Sequence, residues 1–178
     1  MIRRDVLKLG GVATAGLMMP GVSMAAGPRG EPPLVLIDDR FAEGRAFGMA
    51  AAESGARVVA TEQDILSLWY GALRGASLAG LRGLTNYSDM VVIAGLAAEA
   101  RRPFALRIAH RPVADGMAHQ LVDGPPGSLP VLAAAADRWP AGAWSIMAGD
   151  IVARDVRRAA NPARSTTRAG MLWSWSIA

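Results

Sequence analysis

The sequence of 178 residues contains no cysteine, a single lysine and two histidines. Without cysteine the chain cannot form a disulfide, a thiolate-ligated iron–sulfur cluster or a cysteine-ligated zinc site. Attachment of haem through Cys-x-x-Cys-His and thiol catalysis are excluded for the same reason. Whether another cofactor is bound is left open by the composition.

A strong excess of basic residues is also missing from most of the chain. The single lysine is Lys8, and from Gly27 onward 16 arginines stand against 14 acidic residues. Domains that bind nucleic acid are typically much more basic on one face. We therefore expect no nucleic-acid partner.

Long hydrophobic runs are absent as well. The apolar stretch from Leu9 to Met19 is shorter than the roughly 20 residues that cross a bilayer. Gly10, Gly11 and Gly16 lie within it and weaken any helix. The sequence predicts no stable membrane span in the mature protein.

What the chain does contain begins at its N-terminus. Arg3 and Arg4 open a charged run that closes with Lys8, and the apolar stretch Leu9–Met19 follows. Small residues at Ser23–Ala26 then match the pattern of a cleavage site. This order of charged, apolar and small residues is typical of an export signal.

The paired arginines make the segment similar to the twin-arginine (Tat) export signal, which receptors read as an address. The resemblance covers residues 1–26. It implies that the Tat export machinery is a partner, that cleavage occurs near Ala26 and that the folded protein reaches the periplasm. The alternative is an uncleaved N-terminal anchor.

After a linker at residues 27–33, the pattern over residues 34–178 predicts one α/β domain, with a mixed sheet covered by helices in three layers. Leu34–Ile37, Phe41–Ser54 and Arg57–Thr61 predict a right-handed β-α-β unit. Further helices are predicted at Ile65–Leu73, from Thr85 or Ser88 to Arg102, and at Leu129–Arg138. Further strands are predicted at Phe104–His110, Met117–Val122, Trp144–Ala153 and Met171–Ile177, which makes the C-terminal half rich in strands.

Two acidic residues, Asp38 and Asp39, end the first predicted strand. In open α/β sheets ligands bind at the carboxyl ends of strands, and carboxylate oxygens are ligands that Mg²⁺ prefers. The alternative is that either aspartate caps the helix that follows.

The loop at residues 83–89 precedes a predicted helix and offers backbone N–H groups and hydroxyls to an anion. It matches neither of the glycine-rich phosphate-binding motifs. The alternative is ordinary capping by Thr85 or Ser88. If a ligand pocket exists, we expect Asp38, Asp39, Tyr87 and Ser88 to line it.

The histidines His110 and His119 fall on two strands of a predicted hairpin. The expected register makes them diagonal neighbours on one side, and with Asp115 they would supply two imidazoles and a carboxylate to a metal. The alternative is two unrelated polar or pH-sensitive histidines.

Two C-terminal features suggest a surface for a partner. Trp173 and Trp175 share one face of the last predicted strand, and Arg157 and Arg158 lie in the arginine-rich segment before it. Together they predict contact with a partner protein. The alternatives are a core anchor for the tryptophans and a solvated loop for the arginines.

These features favour an exported accessory protein that binds a small ligand or a co-exported protein subunit, since no catalytic motif is evident. The alternative is a small periplasmic enzyme, hydrolytic or metal-assisted, that uses the acidic residues at the end of the first strand.

Overall fold

Strands and helices alternate along the first half of the domain. The computed structural model describes residues 31–61, 64–71, 73, 75–150 and 171–178. The strands in these residues are β1 (Leu34–Ile37), β2 (Arg57–Ala60), β3 (Arg82–Asn86), β4 (Phe104–Val113), β5 (Gly116–Asp123) and β6 (Leu172–Ile177). The helices are α1 (Ala42–Glu53), α2 (Ile65–Tyr70), α3 (Tyr87–Glu99), α4 (Ser128–Ala135) and α5 (Trp139–Ala148), with a 3₁₀ turn at Ala136–Arg138.

The strands form one mixed sheet in the order β2-β1-β3-β6-β4-β5. β1 is parallel to both β2 and β3, whereas β6 is antiparallel to β3 and β4, and β5 is antiparallel to β4. The strands β1, β2, β3 and β4 therefore run in the same direction. Their carboxyl ends lie together, and by edge we mean this end of the sheet rather than an outer strand. The predicted α/β fold, its N-terminal β-α-β unit and its strand-rich later part are confirmed.

Two hydrophobic cores lie on opposite faces of the sheet. Val35 and Ile37 of β1 pack with α1, α4 and α5 on one face, while Leu34 and Leu36 pack with α2 and α3 on the other. A strand buried on both faces has no polar side to alternate with. This explains the uninterrupted apolar run of β1.

The strand β3 was not predicted, because its sequence contains Arg82 and Gly83 and resembles a loop. A Cβ on Gly83 would lie 2.4 Å from Cζ2 of Trp175 and 2.9 Å from the carbonyl oxygen of Leu36. Glycine is required at this position because the Trp175 indole of the neighbouring strand lies where a Cβ would be. The signal for β3 is therefore a tertiary contact, which the local sequence does not reveal.

The strand predicted at Trp144–Ala153 is wrong for its first part, which belongs to α5. Trp139, Ala143 and Met147 are buried on one side of this helix, at the spacing of an α-helix. The helix ends at Gly149, whose φ of 80° is left-handed and suits glycine. Residues 151–153 lie outside the described residues.

Candidate functional site

A crevice is expected where the sheet changes the side on which its helices lie. α1 follows β1 on one face, and α3 follows the adjacent parallel strand β3 on the other face. Their chains therefore diverge at the carboxyl ends of β1 and β3. In open α/β sheets this switch point is where ligands bind.

Asp38 lies at this switch point, directly after β1, with its side chain fully buried. Arg40 donates to both of its carboxylate oxygens, from Nε to Oδ1 at 2.8 Å and from Nη2 to Oδ2 at 2.6 Å. Asn86, at the end of β3, donates from Nδ2 to Oδ2 at 2.9 Å. The carboxylate thus ties the ends of two adjacent strands to one guanidinium.

These hydrogen bonds determine the ionisation of Asp38. Burial alone would raise its pKa, but the bonds from Arg40 and Asn86 outweigh burial and lower the pKa below the ordinary value of 3.8. Asp38 is therefore an ion-paired anion at neutral pH. The guanidinium partner is 57% exposed, so one end of the pair is buried and the other faces solvent.

Asp89, in the first turn of α3, shares the Asn86 amide. Nδ2 of Asn86 donates to Oδ2 of Asp89 at 2.9 Å as well as to Asp38, and the Asp89 backbone N–H donates to Oδ1 of Asn86 at 3.0 Å. Burial raises the pKa of Asp89, and the negative charge of Asp38 raises it further. Thr61, the positive charge of Arg40 and the Asn86 amide offset only part of this rise. We refer to Asp38, Arg40, Asn86 and Asp89 as the Asp38 cluster.

A close approach of α1 to the end of β1 shapes the same region. A Cβ on Gly44 would lie 2.0 Å from the backbone carbonyl oxygen of Asp38. Only glycine permits this contact between the first turn of α1 and the strand end. The position of Asp38 is thus held by backbone packing as well as by its side-chain bonds.

The residues predicted to line a pocket divide between the cluster and its rim. Asp38 lies at the centre of the cluster, whereas Asp39, Tyr87 and Ser88 are exposed beside it. The Asp39 backbone carbonyl accepts a hydrogen bond from Nη1 of Arg45. Tyr87 packs its ring on Trp173, with ring centroids 5.8 Å apart, on the β6 side of the crevice.

Sequence reasoning missed three members of the cluster, Arg40, Asn86 and Asp89. It also assigned the cap of α3 to Thr85 or Ser88, which is wrong, because the side chain of Asn86 accepts from the Asp89 N–H. Asparagine is among the most favoured N-cap residues, so this signal was present in the sequence. Thr85 instead lies in β3, where its hydroxyl accepts from the indole N–H of Trp175 at 3.0 Å.

The capping role considered for Asp38 or Asp39 is wrong as well. α1 begins after Phe41 without a side-chain capping bond among the described residues. Asp38 is bonded to Arg40 and Asn86 instead. A Mg²⁺ ion bound by Asp38 would have to displace the guanidinium, so the geometry does not favour the metal interpretation of this aspartate.

The two histidines lie at the same edge of the sheet, under α5. They are directly opposed in the β4–β5 register rather than diagonal, and their Nδ1 atoms are 2.7 Å apart. Nε2 of His110 lies 2.8 Å from Oγ of Ser174, and the ring of Trp139 stacks on His110 at 4.2 Å. We refer to His110, His119 and Ser174 as the histidine pair.

The short contact between the Nδ1 atoms excludes protonation of both rings at once, and the lowered pKa values of both histidines make the rings neutral at neutral pH. One proton lies between the two Nδ1 atoms, and the Ser174 hydroxyl completes the chain by donating or accepting at Nε2. Burial lowers the pKa of His110 well below 6.5, and the neighbouring His119 lowers it further. Burial lowers the pKa of His119 to about 4.

Asp115 does not complete a metal site with these histidines. Within the described part of the chain, no group of three or more histidine, aspartate or glutamate side chains could hold a metal ion. The two Nδ1 atoms face each other and are joined by a hydrogen bond. The pair is a hydrogen-bonded unit of the core.

The predicted partner surface does not include Trp175. This side chain is 0% exposed and belongs to the core under α3, so it anchors β6 rather than contacting a partner. Trp173 is partly buried against the same core, and its Nε1 has no hydrogen-bond partner among the described residues. Arg157 and Arg158 lie outside the described residues.

Comparison with protein-family models, curated proteins and solved structures gives no match to this chain. Among the described residues, no helix is both long and apolar enough to cross a membrane.

Proposed function

We propose that this chain is an exported binding protein that holds a small hydroxyl-rich ligand in the crevice between β1 and β3. The observation that carries the proposal is the Asp38–Arg40 pair, whose buried carboxylate holds an exposed guanidinium at the switch point of the sheet. Ligand sites in open α/β sheets occur at this place.

Arg40 is the donor side of the proposed site. Its Nε and Nη2 are bonded to Asp38, which leaves Nη1 outside these bonds. A planar guanidinium fixed in this way loses little side-chain entropy when it binds an oxygen of a ligand. The pre-organised donor is the reason we assign ligand binding to this edge.

Carboxylates form the acceptor side. Asp89 has an oxygen, Oδ1, that takes no part in its bond to Asn86, and the exposed Asp39 adds a second carboxylate. A ligand that satisfies Arg40 and these carboxylates together needs both acceptors and donors, as hydroxyl groups supply. The exposed face of Tyr87 would cover an apolar ring face of such a ligand.

Export is the second part of the proposal. It rests on the paired Arg3 and Arg4 and the segment up to Ala26, which lie outside the described residues. With the Tat machinery as its carrier, the folded protein would act in the periplasm. The segment with Arg157 and Arg158 remains the part of the chain proposed to contact a co-exported subunit.

A ligand panel tests the binding proposal. Binding to the folded state raises the melting temperature, so we expect one or more of glucose, ribose, myo-inositol and sorbitol to raise it for the full chain. Arg40→Gln should abolish the rise. Arg57→Gln, an exposed arginine at the opposite edge, should keep it. Equal shifts in both variants would contradict the site.

An acid–base enzyme is the second candidate, because the paired carboxylates of the Asp38 cluster are shifted in opposite directions. The pKa of Asp38 is lowered and that of Asp89 is raised. Environments that separate two carboxyl groups in this way are typical of sites that use one as an acid and one as an anion. Asp89 would be the proton donor.

Hydrolysis of chromogenic p-nitrophenyl glycosides distinguishes the enzyme from the binding protein. The enzyme hypothesis expects turnover that is lost in Asp89→Asn and retained in the exposed control Arg57→Gln. Ligand-induced stabilisation without turnover of any glycoside would support the binding protein alone.

A further inference from the structure

A basic cavity lies at the opposite edge of the sheet, between the last turns of α3 and the start of β4. It is an open depression with a volume of about 410 Å³, within the range of small-molecule pockets. Its lining combines small apolar residues, one aromatic ring and arginines: Ala94, Ala97, Ala98, Arg101, Arg102, Pro103, Phe104 and Arg107.

The charge of this lining is of one sign. Arg101, Arg102 and Arg107 contribute to it, and no acidic residue does. Arg107 is paired with Asp123, whereas Arg101 and Arg102 have no ion pair within the described part of the chain. Two cations are thus left for a ligand at the mouth of the cavity.

The backbone at Arg101 is the second observation. Its φ of 54° is left-handed, in the position after a helix that glycine usually occupies. The N–H groups of Arg101 and Arg102 bond to the carbonyl oxygens of Ala98 and Ala97, at 3.0 and 2.8 Å. A side chain strains the backbone at this φ, so Arg101 occupies a strained position beside the cavity.

Arginines near a helix C-terminus also offset the helix dipole. That effect needs neither a left-handed residue nor a cavity beside the charges. The apolar part of the lining favours a ligand with an apolar body, because the alanine methyl groups and the ring of Phe104 offer contact to carbon rather than to water. Arg107 lies over that ring at 4.9 Å, which fixes one cation beside the apolar wall.

We propose that this cavity binds a small organic anion, with its carboxylate or phosphate on Arg101 and Arg102 and its apolar body against the alanines and Phe104. The site is independent of the Asp38 cluster, since it lies at the amino end of β4. Charge-assisted bonds from guanidinium groups to such anions are short and directional.

Calorimetric titration of the full chain with phenyl phosphate and with benzoate tests the proposal. We expect saturable binding of at least one of them. Inorganic phosphate lacks the apolar body and phenol lacks the anionic group, so each should bind at least about tenfold more weakly. Equal affinity for inorganic phosphate, or no saturable binding of either organic anion, would overturn the proposal.

The variant Arg101→Gly separates recognition from folding. Glycine suits the left-handed backbone, so the melting temperature should stay the same or rise, while affinity for the organic anion falls about tenfold. Arg102→Gln should weaken binding similarly, and the exposed control Arg111→Gln should not. Unchanged affinity in both cavity variants would refute the assignment.

Discussion

The Asp38 cluster and the histidine pair lie at the same edge of one sheet but use polar groups in opposite ways. In the cluster, a buried carboxylate stays charged because a 57% exposed guanidinium pairs with it. In the histidine pair, His110 is fully buried, stacked under Trp139 and neutral. The exposed guanidinium distinguishes the proposed binding site from the histidine pair, in which the ring of His110 is enclosed in the core.

The difference shows what burial does to titratable groups. Each buried group must either find a partner of opposite charge or lose its charge. Asp38 has Arg40 within 2.6 Å, whereas the nearest titratable partner of His110 is another histidine. The same physical cost therefore produces an anion in one place and two neutral rings in the other.

The largest effect is expected from His110→Ala. The substitution removes a buried ring and leaves the Ser174 hydroxyl without its partner, which should lower the free energy of unfolding by about 3 kcal/mol. Urea denaturation measures the loss. The exposed neighbour Arg111→Ala is the control, and an equally small effect for both would mean that the histidine pair does not stabilise the core.

Asp38→Asn should cost somewhat less. It removes the buried anion that Arg40 and Asn86 hold, and the expected loss is about 2 kcal/mol in the same urea experiment. Asp39→Asn, exposed and adjacent, should change stability by less than about 0.5 kcal/mol. If the two variants are alike, the buried ion pair does not contribute as described.

As the pH falls, the protein should lose the stability contributed by the histidine pair before that contributed by Asp38. The pKa of His119 is about 4 in the folded protein against 6.5 ordinarily, and that of His110 is also lowered. Protons therefore bind more tightly to the unfolded chain, and the stability present above pH 6.5 is lost as pH falls toward 4. Each histidine can raise the unfolding constant by up to about tenfold per pH unit.

Asp38 should act in a lower window of pH. Its folded pKa is below 3.8, so its contribution to stability is present above that value and fades only as pH falls further.

Urea denaturation tests the pH dependence that we assign to the histidine pair. The urea midpoint should fall between about pH 7 and about pH 5 in the wild type and remain nearly flat in a His110→Ala/His119→Ala double variant. A fall of the same size in both would assign the effect to other groups.

Asp89→Asn should have the smallest effect on stability. Burial raises the pKa of Asp89, so its charged form is disfavoured in the fold, and asparagine keeps an oxygen that can accept from Asn86. We expect a change within about 0.5 kcal/mol. Thermal unfolding without ligand checks this, and a loss as large as that of Asp38→Asn would show that the charge of Asp89 stabilises the cluster.

The sequence predicted much of the fold where local patterns carried it. The apolar run of β1, the helical spacing of α1 and the alternation of Trp173, Trp175 and Ile177 all agree with the structure. β3 and α5 were missed. The strand β3 was missed because Gly83 is fixed by its contact with Trp175, which the local sequence does not show. The helix α5 was missed because the apolar residues around Trp144 suit a helix or a strand equally.

The candidate site was only partly predictable. Asp38 was identified from its position after a strand, and that rule holds. Its partner Asn86 lies 48 residues later, and only the pairing of β1 with β3 brings them together. Arg40 stands two positions from Asp38, but its role depends on the burial of that carboxylate, which the sequence alone does not display.

Chemical-shift mapping of the full chain by ¹H–¹⁵N NMR, during titration with glucose, ribose, myo-inositol and sorbitol, tests whether the Asp38 cluster binds hydroxyl-rich ligands. We expect saturable shifts confined to residues 38–40 and 86–89 for at least one of them, and their loss in Arg40→Gln. Saturable shifts elsewhere, or none with any of the four, would contradict a hydroxyl-binding site at the Asp38 cluster.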